Sequence, residues 1–223
     1  MTNAEKALEM IADNAIVGLG TGRAASAFIR ALGQKVQGGL RVRGVPTSND
    51  SAALAKEVGI PLTTLEEIES IDITVDGADE VDPRLNLIKG LGGALMREKI
   101  VAAASQKLVI LVGDEKLSPL LGSRGVLPVE VVPFGFALVR RRLAAMGYPA
   151  EPRMKDGKLF VTDNGNHILD CKVSPMPDPA WNERDLREVP GVAGTGLFLN
   201  MAHAVLIQHG DSVEIRERTP IPG

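Results

Sequence analysis

The chain has 223 residues, 44% of them hydrophobic but only 3% aromatic, and 25 basic against 28 acidic side chains leave a net charge of −3. Alanine, valine, leucine and isoleucine must fill the core, which favours helices on a parallel sheet over an aromatic-rich β-sandwich, as one large domain or two small ones. That charge lacks the basic face of a nucleic-acid binder, and the single cysteine, Cys171, leaves no internal disulfide and no Cys/His spacing for zinc.

The start, Met1-Thr2-Asn3-Ala4-Glu5-Lys6, lacks the apolar core of a secretory signal, and no stretch is long enough to span a membrane. A soluble cytoplasmic protein is the expectation. Ala15 to Leu19 then reads as a strand and Ala24 to Lys35 as a helix. Leu40 to Val45 gives a second strand and Ser48 to Val58 a second helix, with Thr47 and Ser48 available as N-caps and Gly59 as its stop. Ile71 to Val75 is a third strand, Ala94 to Ala104 a helix, and Lys107 to Val112 a further strand. Alternation of this kind argues for a parallel, doubly wound sheet.

From about Gly125 the texture changes. Val129 to Val132 is a short strand bracketed by Pro128 and Pro133, followed by a helix from Phe136 to Met146 that Gly147 ends. Strand candidates around Pro152 and from Leu159 to Cys171 are split by the turn Lys155-Asp156-Gly157-Lys158. Trp181 to Glu188 is helical and Gly196 to Leu199 a final strand, so the order is that of a small ferredoxin-like α+β unit. The chain returns through Ala204 to Gln208, and Glu217 to Gly223 reads as a loose tail. The run Arg140-Arg141-Arg142 reads as a solvated helix face. Cys171, in an apolar run, reads as a buried structural thiol, and the scattered His167, His203 and His209 take no role.

Two segments carry chemistry. The loop Val17-Gly18-Leu19-Gly20-Thr21-Gly22-Arg23-Ala24 joins the first strand to the first helix, where backbone N–H groups make a phosphate cradle. Thr21 adds a hydroxyl and Arg23 a cation. A dinucleotide fingerprint would need glycine at Arg23 and an acid closing the second strand, which instead ends Val45-Pro46-Thr47. A P-loop would need Gly-Lys-Ser/Thr. A monophosphate therefore fits better than a nucleotide, with a tight glycine turn lacking any ligand as the plain alternative.

The second segment reads Asp76-Gly77-Ala78-Asp79-Glu80, then Ile88-Lys89-Gly90-Leu91-Gly92-Gly93-Ala94, then Arg97-Glu98-Lys99. Both aspartates fall on the loop leaving a strand, the glycines let a ligand approach the backbone, and Glu98 lies in the early turns of a helix. A base, a cation and two acids around a bare turn suit proton transfer next to a carbonyl. The same residues could equally be turn chemistry and a solvated helix face, and Asp76, Asp79, Glu80 and Asp82 offer hard oxygens to a divalent cation.

Taken together, the stretches Val17 to Gly22, Pro46 to Ser48, Asp76 to Asp82, Leu87 to Ala102, Val129 to Gly135, Val161 to Asp170 and Gly191 to Leu199 closely resemble ribose-5-phosphate isomerases of the A type. The resemblance implies a Rossmann-like catalytic domain, residues 1–124 with 200–223, and an α+β subdomain, residues 125–199, that serves as an oligomer contact. It implies a cofactor-free and metal-free homodimer or homotetramer acting on a sugar phosphate in the non-oxidative pentose phosphate pathway. Carried over by match, Glu98 is the base moving a proton between C2 and C1, and Asp76 helps open the furanose ring. Lys89 steadies the enediolate, and Asp79 hydrogen-bonds or shuttles protons at the sugar oxygens. Substrate contacts map to Thr21, Gly22, Arg23 and Ala24, to Asp76, Gly77, Ala78 and Asp79, to Lys89, Gly90, Leu91 and Gly92, and to Lys116.

The chain departs from the family in two places. Thr-Gly-Arg-Ala stands where relatives usually have Thr-Gly-Ser-Thr, and a lysine that relatives carry in their first helix has no clean equivalent in this late-starting chain. The expectation is that Arg23, a bidentate phosphate donor, replaces both. Leu91 stands for a common glycine, a milder change. The competing readings are a related sugar-phosphate isomerase or deaminase, a sugar-phosphate sensor without its DNA-binding segment, and a CoA-transferase, which would want a glutamate nucleophile and a larger chain.

Overall fold

A computed structural model describes residues 1–218, which form two compact units, Met1–Ala78 with Arg97–Lys116 and the segment from Asn200, and Asp79–Met96 with Leu117–Leu199. The first unit is built on a six-stranded sheet ordered Ser212–Glu217, Ala204–His209, Leu108–Gly113, Ile73–Gly77, Ala15–Leu19, Val42–Pro46. All neighbours run parallel except the Ser212–Glu217 edge. Runs such as Leu-Val-Ile-Leu-Val at 108–112 are buried on both faces, as strands under two helical layers require. On one face Phe28, Ile29 and Leu32 of the helix Arg23–Gln37 pack on Val17, Leu19, Val75 and Leu111. Each such buried side chain contributes about 1.5–3 kcal/mol. On the other face Ile16, Val45 and Ile71 meet Val101 of the helix Leu95–Ala103. Ile16 and Val17 thus serve opposite layers, as the period of two demands.

Helix ends follow side-chain chemistry. Ser48 caps the helix Asn49–Glu57 by accepting from the Ser51 N–H at 3.0 Å, and Gly59 stops it at φ +80°. A helix unread in the sequence, Asn3–Leu8, starts on a Thr2–Glu5 capping box, and its Lys6 pairs with Glu9. The expected tail begins too early. Glu217 closes the Ser212–Glu217 strand, while residues 219–223 lie outside the described ones.

The second unit carries an antiparallel sheet ordered Val192–Thr195, Val126–Val131, His167–Lys172, Ala150–Pro152, with the helices Phe136–Ala145 and Pro179–Arg187. Numbered along the chain that order is 4-1-3-2, the ferredoxin-like βαββαβ arrangement. Val139 and Leu143, four residues apart on one helix face, are buried with Leu127, Val129, Leu169 and Cys171, and Arg140, Arg141 and Arg142 face solvent.

Three expectations change here. The last strand of this sheet is Val192–Thr195, because Gly196 packs against the Lys89 carbonyl and diverts Leu197–Phe198 to pair with Leu87–Ile88. The run Leu159 to Cys171 is two strands, Lys158–Leu159 in a hairpin and His167–Lys172 in the sheet. Between them the Thr162 N–H donates to Asn166 O at 2.8 Å, closing a turn through Asp163, Asn164 and Gly165. Finally, residues 79–96 and 117–124 group with the second unit rather than the first. Leu87–Ile88 pairs with both Leu197–Phe198 and Glu80–Val81, Val81 bridges to Leu117, and the Arg124 N–H donates to Glu80 Oε1 at 2.9 Å.

Candidate active site

In the first unit the candidate residues gather at the carboxyl ends of the parallel strands. From Ala15–Leu19 the chain winds outward to Val42–Pro46 on one side and crosses to Ile73–Gly77 on the other. The connections leaving these two neighbouring strands therefore run to opposite sides of the sheet, the topological switch point at which open α/β sheets bind ligands. Asp76 sits there, within the strand rather than on the expected loop, which begins two residues later at Ala78. It belongs to the strand, in register with Ile110, and is 1% exposed. Its Oδ1 accepts from the Thr21 N–H at 3.1 Å and from the Gly77 N–H at 2.8 Å. The approach needs a bare residue at Gly20, where a Cβ would lie 2.2 Å from Asp76 Oδ1.

The glycine loop is held as well. Thr21 Oγ1 lies 2.8 Å from Thr47 Oγ1 and donates to Ser48 Oγ at 2.7 Å, so two of the resembling stretches meet. Gly22 adopts φ +97° with ψ −176°, a conformation essentially confined to glycine, and a Cβ there would meet nothing. Arg23 is the first residue of its helix and is exposed, with Ala24 half-buried behind it. Lys116 ends a 3₁₀ turn, Asp114–Lys116, just after the strand Leu108–Gly113 and so at the same end of the sheet. Beside it Asp114 bonds His209. Glu98, 4% exposed, lies in the first turn of Leu95–Ala103.

The second unit holds the other candidates. Asp79 Oδ2 accepts from the Leu91 N–H at 3.0 Å, while the Asp79 N–H donates to Ile88 O at 2.8 Å. Lys89, 3% exposed, is fixed by its N–H to Gly196 O at 2.9 Å, with its ammonium 5.5 Å from the centre of the Phe198 ring. Gly90 to Gly93 form a turn closed by the Gly93 N–H on Gly90 O at 3.0 Å, with φ +106° at Gly90. Leu91 and Gly92 are exposed at its tip. Two neighbours of this turn had no signal in the sequence. Arg153 donates to the Gly90 and Leu91 carbonyls, and the Phe160 ring lies where a Gly93 side chain would go. The chain passes between the two sets of residues at Ala78–Asp79 and Met96–Arg97.

The acidic cluster is largely used locally. Asp82 accepts from the Arg84 and Asn86 N–H groups and from the Asn86 amide, and Glu80 is 1% exposed against Arg124. Among the described residues no group of three or more His, Cys, Asp or Glu side chains is arranged to hold a metal ion. Cys171 is buried, and desolvation, with the Asp170 charge adding to it, pushes its thiol up to about 12. That suits a structural side chain rather than a nucleophile. No described helix is long and apolar enough to cross a membrane.

Comparison with known proteins points one way. Residues 43–212 match the family model of ribose 5-phosphate isomerase A (phosphoriboisomerase A). The chain is 46% identical over 222 residues to ribose-5-phosphate isomerase A of Gloeobacter violaceus, covering 99% of this chain and 96% of that protein. It is 48% identical over 215 residues to the enzyme of Roseiflexus castenholzii, at 94% and 91% coverage. Among solved structures, ribose 5-phosphate isomerase A of Methanocaldococcus jannaschii superposes with a TM-score of 0.92 at 39% identity, over 97% of this chain and 96% of that one. A D-ribose-5-phosphate isomerase in complex with phospho-erythronic acid gives 0.93 at 40% identity, with the same coverage.

Proposed function

The chain belongs to the ribose 5-phosphate isomerase A family, and on that premise we propose how its residues interconvert D-ribose 5-phosphate and D-ribulose 5-phosphate. The phosphate is held by Arg23, by the N–H groups at the start of the helix Arg23–Gln37, and by Lys116. Asp76, anchored by two backbone N–H groups, faces the ring oxygen chemistry and helps open the furanose. In the open aldose the Glu98 carboxylate removes the C2 proton. The C2–H electrons form the C1=C2 bond as the C1 carbonyl becomes an enediolate oxygen, whose charge Lys89 stabilises. Glu98 returns the proton to C1 while the O2 hydroxyl proton passes to O1 by way of Asp79, leaving the ketone at C2. Atoms and electrons balance without a redox partner.

The observation that carries this assignment is the match of Asp76, Asp79, Lys89 and Glu98, in order and in motif, to a family met over nearly the whole chain. The relative solved with phospho-erythronic acid supports it, since that acid's planar carboxylate has the shape and charge of the enediolate. We extend the reading to a cytoplasmic homodimer or homotetramer. The wholly exposed Phe134 beside the exposed Val132 and Leu138 of the ferredoxin-like unit supports a self-association surface there, and light scattering tests it. The direct test of the reaction is proton NMR of ribose 5-phosphate with chelator-treated protein in D₂O. Ribulose 5-phosphate should form with deuterium entering at the exchanging carbon. No conversion would refute the reading.

A further inference from the structure

The turn Gly90–Gly93 is bare of side chains apart from Leu91, so whatever it offers a ligand it offers through its peptide groups. What aims those groups is an arginine more than sixty residues away in the chain. Arg153 follows the strand Ala150–Pro152, and its own backbone is pinned on both sides. Its N–H donates to Ile168 O at 2.9 Å, and its carbonyl accepts from the Phe160 N–H at 2.9 Å. Its guanidinium lies in a fork on Asp170, with Nε on Oδ2 at 2.9 Å and Nη2 on Oδ1. Asp170 is itself fixed in the sheet, opposite Pro128 on one side and Glu151 on the other. The remaining Nη1 donates to Gly90 O at 2.7 Å and to Leu91 O at 3.0 Å.

Peptide planarity turns this grip into a direction. Every described peptide is trans, so the carbonyl of one residue and the N–H of the next point to opposite sides of their shared plane. With the Gly90 carbonyl held by Arg153, the Leu91 N–H points away from it, and it donates to Asp79 Oδ2 at 3.0 Å. With the Leu91 carbonyl held by the same nitrogen, the Gly92 N–H must also point away from Arg153, at the exposed tip of the turn. We propose that Arg153, oriented by Asp170, is a positioning residue of the isomerase that fixes the Gly92 N–H as a hydrogen-bond donor to an oxygen of the sugar phosphate. The same grip holds the Asp79–Leu91 bond in register. A lysine, with one point charge, would not span Asp170 and two carbonyls together.

This inference rests on reading the Lys89–Gly92 turn as a substrate contact, so Lys89→Met is measured alongside. Arg153→Met should lower kcat/KM about 10²-fold, the scale of a roughly 1 Å misplacement. Arg153→Lys should recover little, and guanidinium ion added to Arg153→Gly should restore part of the loss. The Gly92 amide resonance should shift and exchange faster, which a purely structural loss elsewhere in the fold would not produce. Should Arg153→Met fail to fold, Arg153→Lys carries the same comparison. If Lys89→Met is inactive while the Arg153 variants match wild type, the positioning role is overturned and the site reading stands. If Lys89→Met keeps wild-type turnover, both fall.

Discussion

Replacing Gly20 by alanine tests the geometry of the switch point most sharply. The added Cβ would lie 2.2 Å from Asp76 Oδ1, 2.4 Å from its Cγ and 2.7 Å from its Cα, against a comfortable separation of about 3.5 Å. Neither backbone has room to withdraw. The Gly20 N–H is bonded to Val75 O at 3.0 Å, and Asp76 is paired with Ile110 inside the sheet. Rotating the carboxylate away gives up at least the Thr21 N–H and still leaves the contact with the Asp76 Cα as strain. A hydrogen bond to a charged group is worth about 1.5–3 kcal/mol, and forced overpacking costs about 1–3 kcal/mol more. The total of about 2.5–6 kcal/mol should lower the melting temperature by about 5–24 °C. Displacing the group we propose for ring opening should also cut kcat by about 10²-fold, the low end of general acid–base catalysis. Thermal unfolding by circular dichroism and a direct ketopentose absorbance assay read the two effects on one sample. A Gly20→Ala protein with wild-type melting and turnover would refute both the packing argument and the role given to Asp76.

Glu98→Gln keeps the shape of the side chain but removes the proposed base, so kcat should fall by about 10²–10⁴-fold with KM near wild type; steady-state kinetics showing most turnover retained would move the base role to Asp76 or Asp79. Arg23→Ala removes the proposed phosphate donor, and losing one charge-assisted contact of about 1.5 kcal/mol should raise KM about tenfold with little change in kcat. An unchanged KM would end that reading. Glu214, and more weakly Asp114, hold His209 above its ordinary pKa by hydrogen bonding to it. The stabilisation is fully present below the unfolded value of 6.5 and is lost as pH rises through the raised folded value. Melting temperatures should accordingly drop across that window, and His209→Gln should flatten the drop; an identical slope in the variant would contradict the assignment.

The parts of this protein that were legible in sequence are those whose physics is local. The alternation of apolar runs and helical patterns identified the parallel sheet, Ser48 and Gly59 marked the limits of a helix, and the ferredoxin-like order emerged from element types alone. The proposed catalytic side chains were visible because Asp76 through Glu98 form one dense motif. What stayed hidden was set by distant partners. The two-residue strands Glu80–Val81 and Leu87–Ile88 are too short to show a period, and only their pairing defines them. Arg153 carries no local signal, since its partners lie at Gly90, Leu91 and Asp170. Glu130 sits in a strand yet is 0% exposed, its Oε1 accepting from Thr162, Asn164 and Asn166, a use that alternation alone would not suggest.

The first unit is assembled from three separated stretches of chain, and this bears on how the protein is made. The strand Leu108–Gly113 lies inside the sheet only once Ala204–His209 has docked beside it, and the second unit's residues 117–199 are translated between the two. A nascent chain therefore waits through more than eighty codons with Leu108 to Val112 as a bare, β-branched, apolar edge. Such an edge is the kind that templates intermolecular pairing. Until Ala204–His209 docks, that edge is the part of the first unit most open to intermolecular pairing.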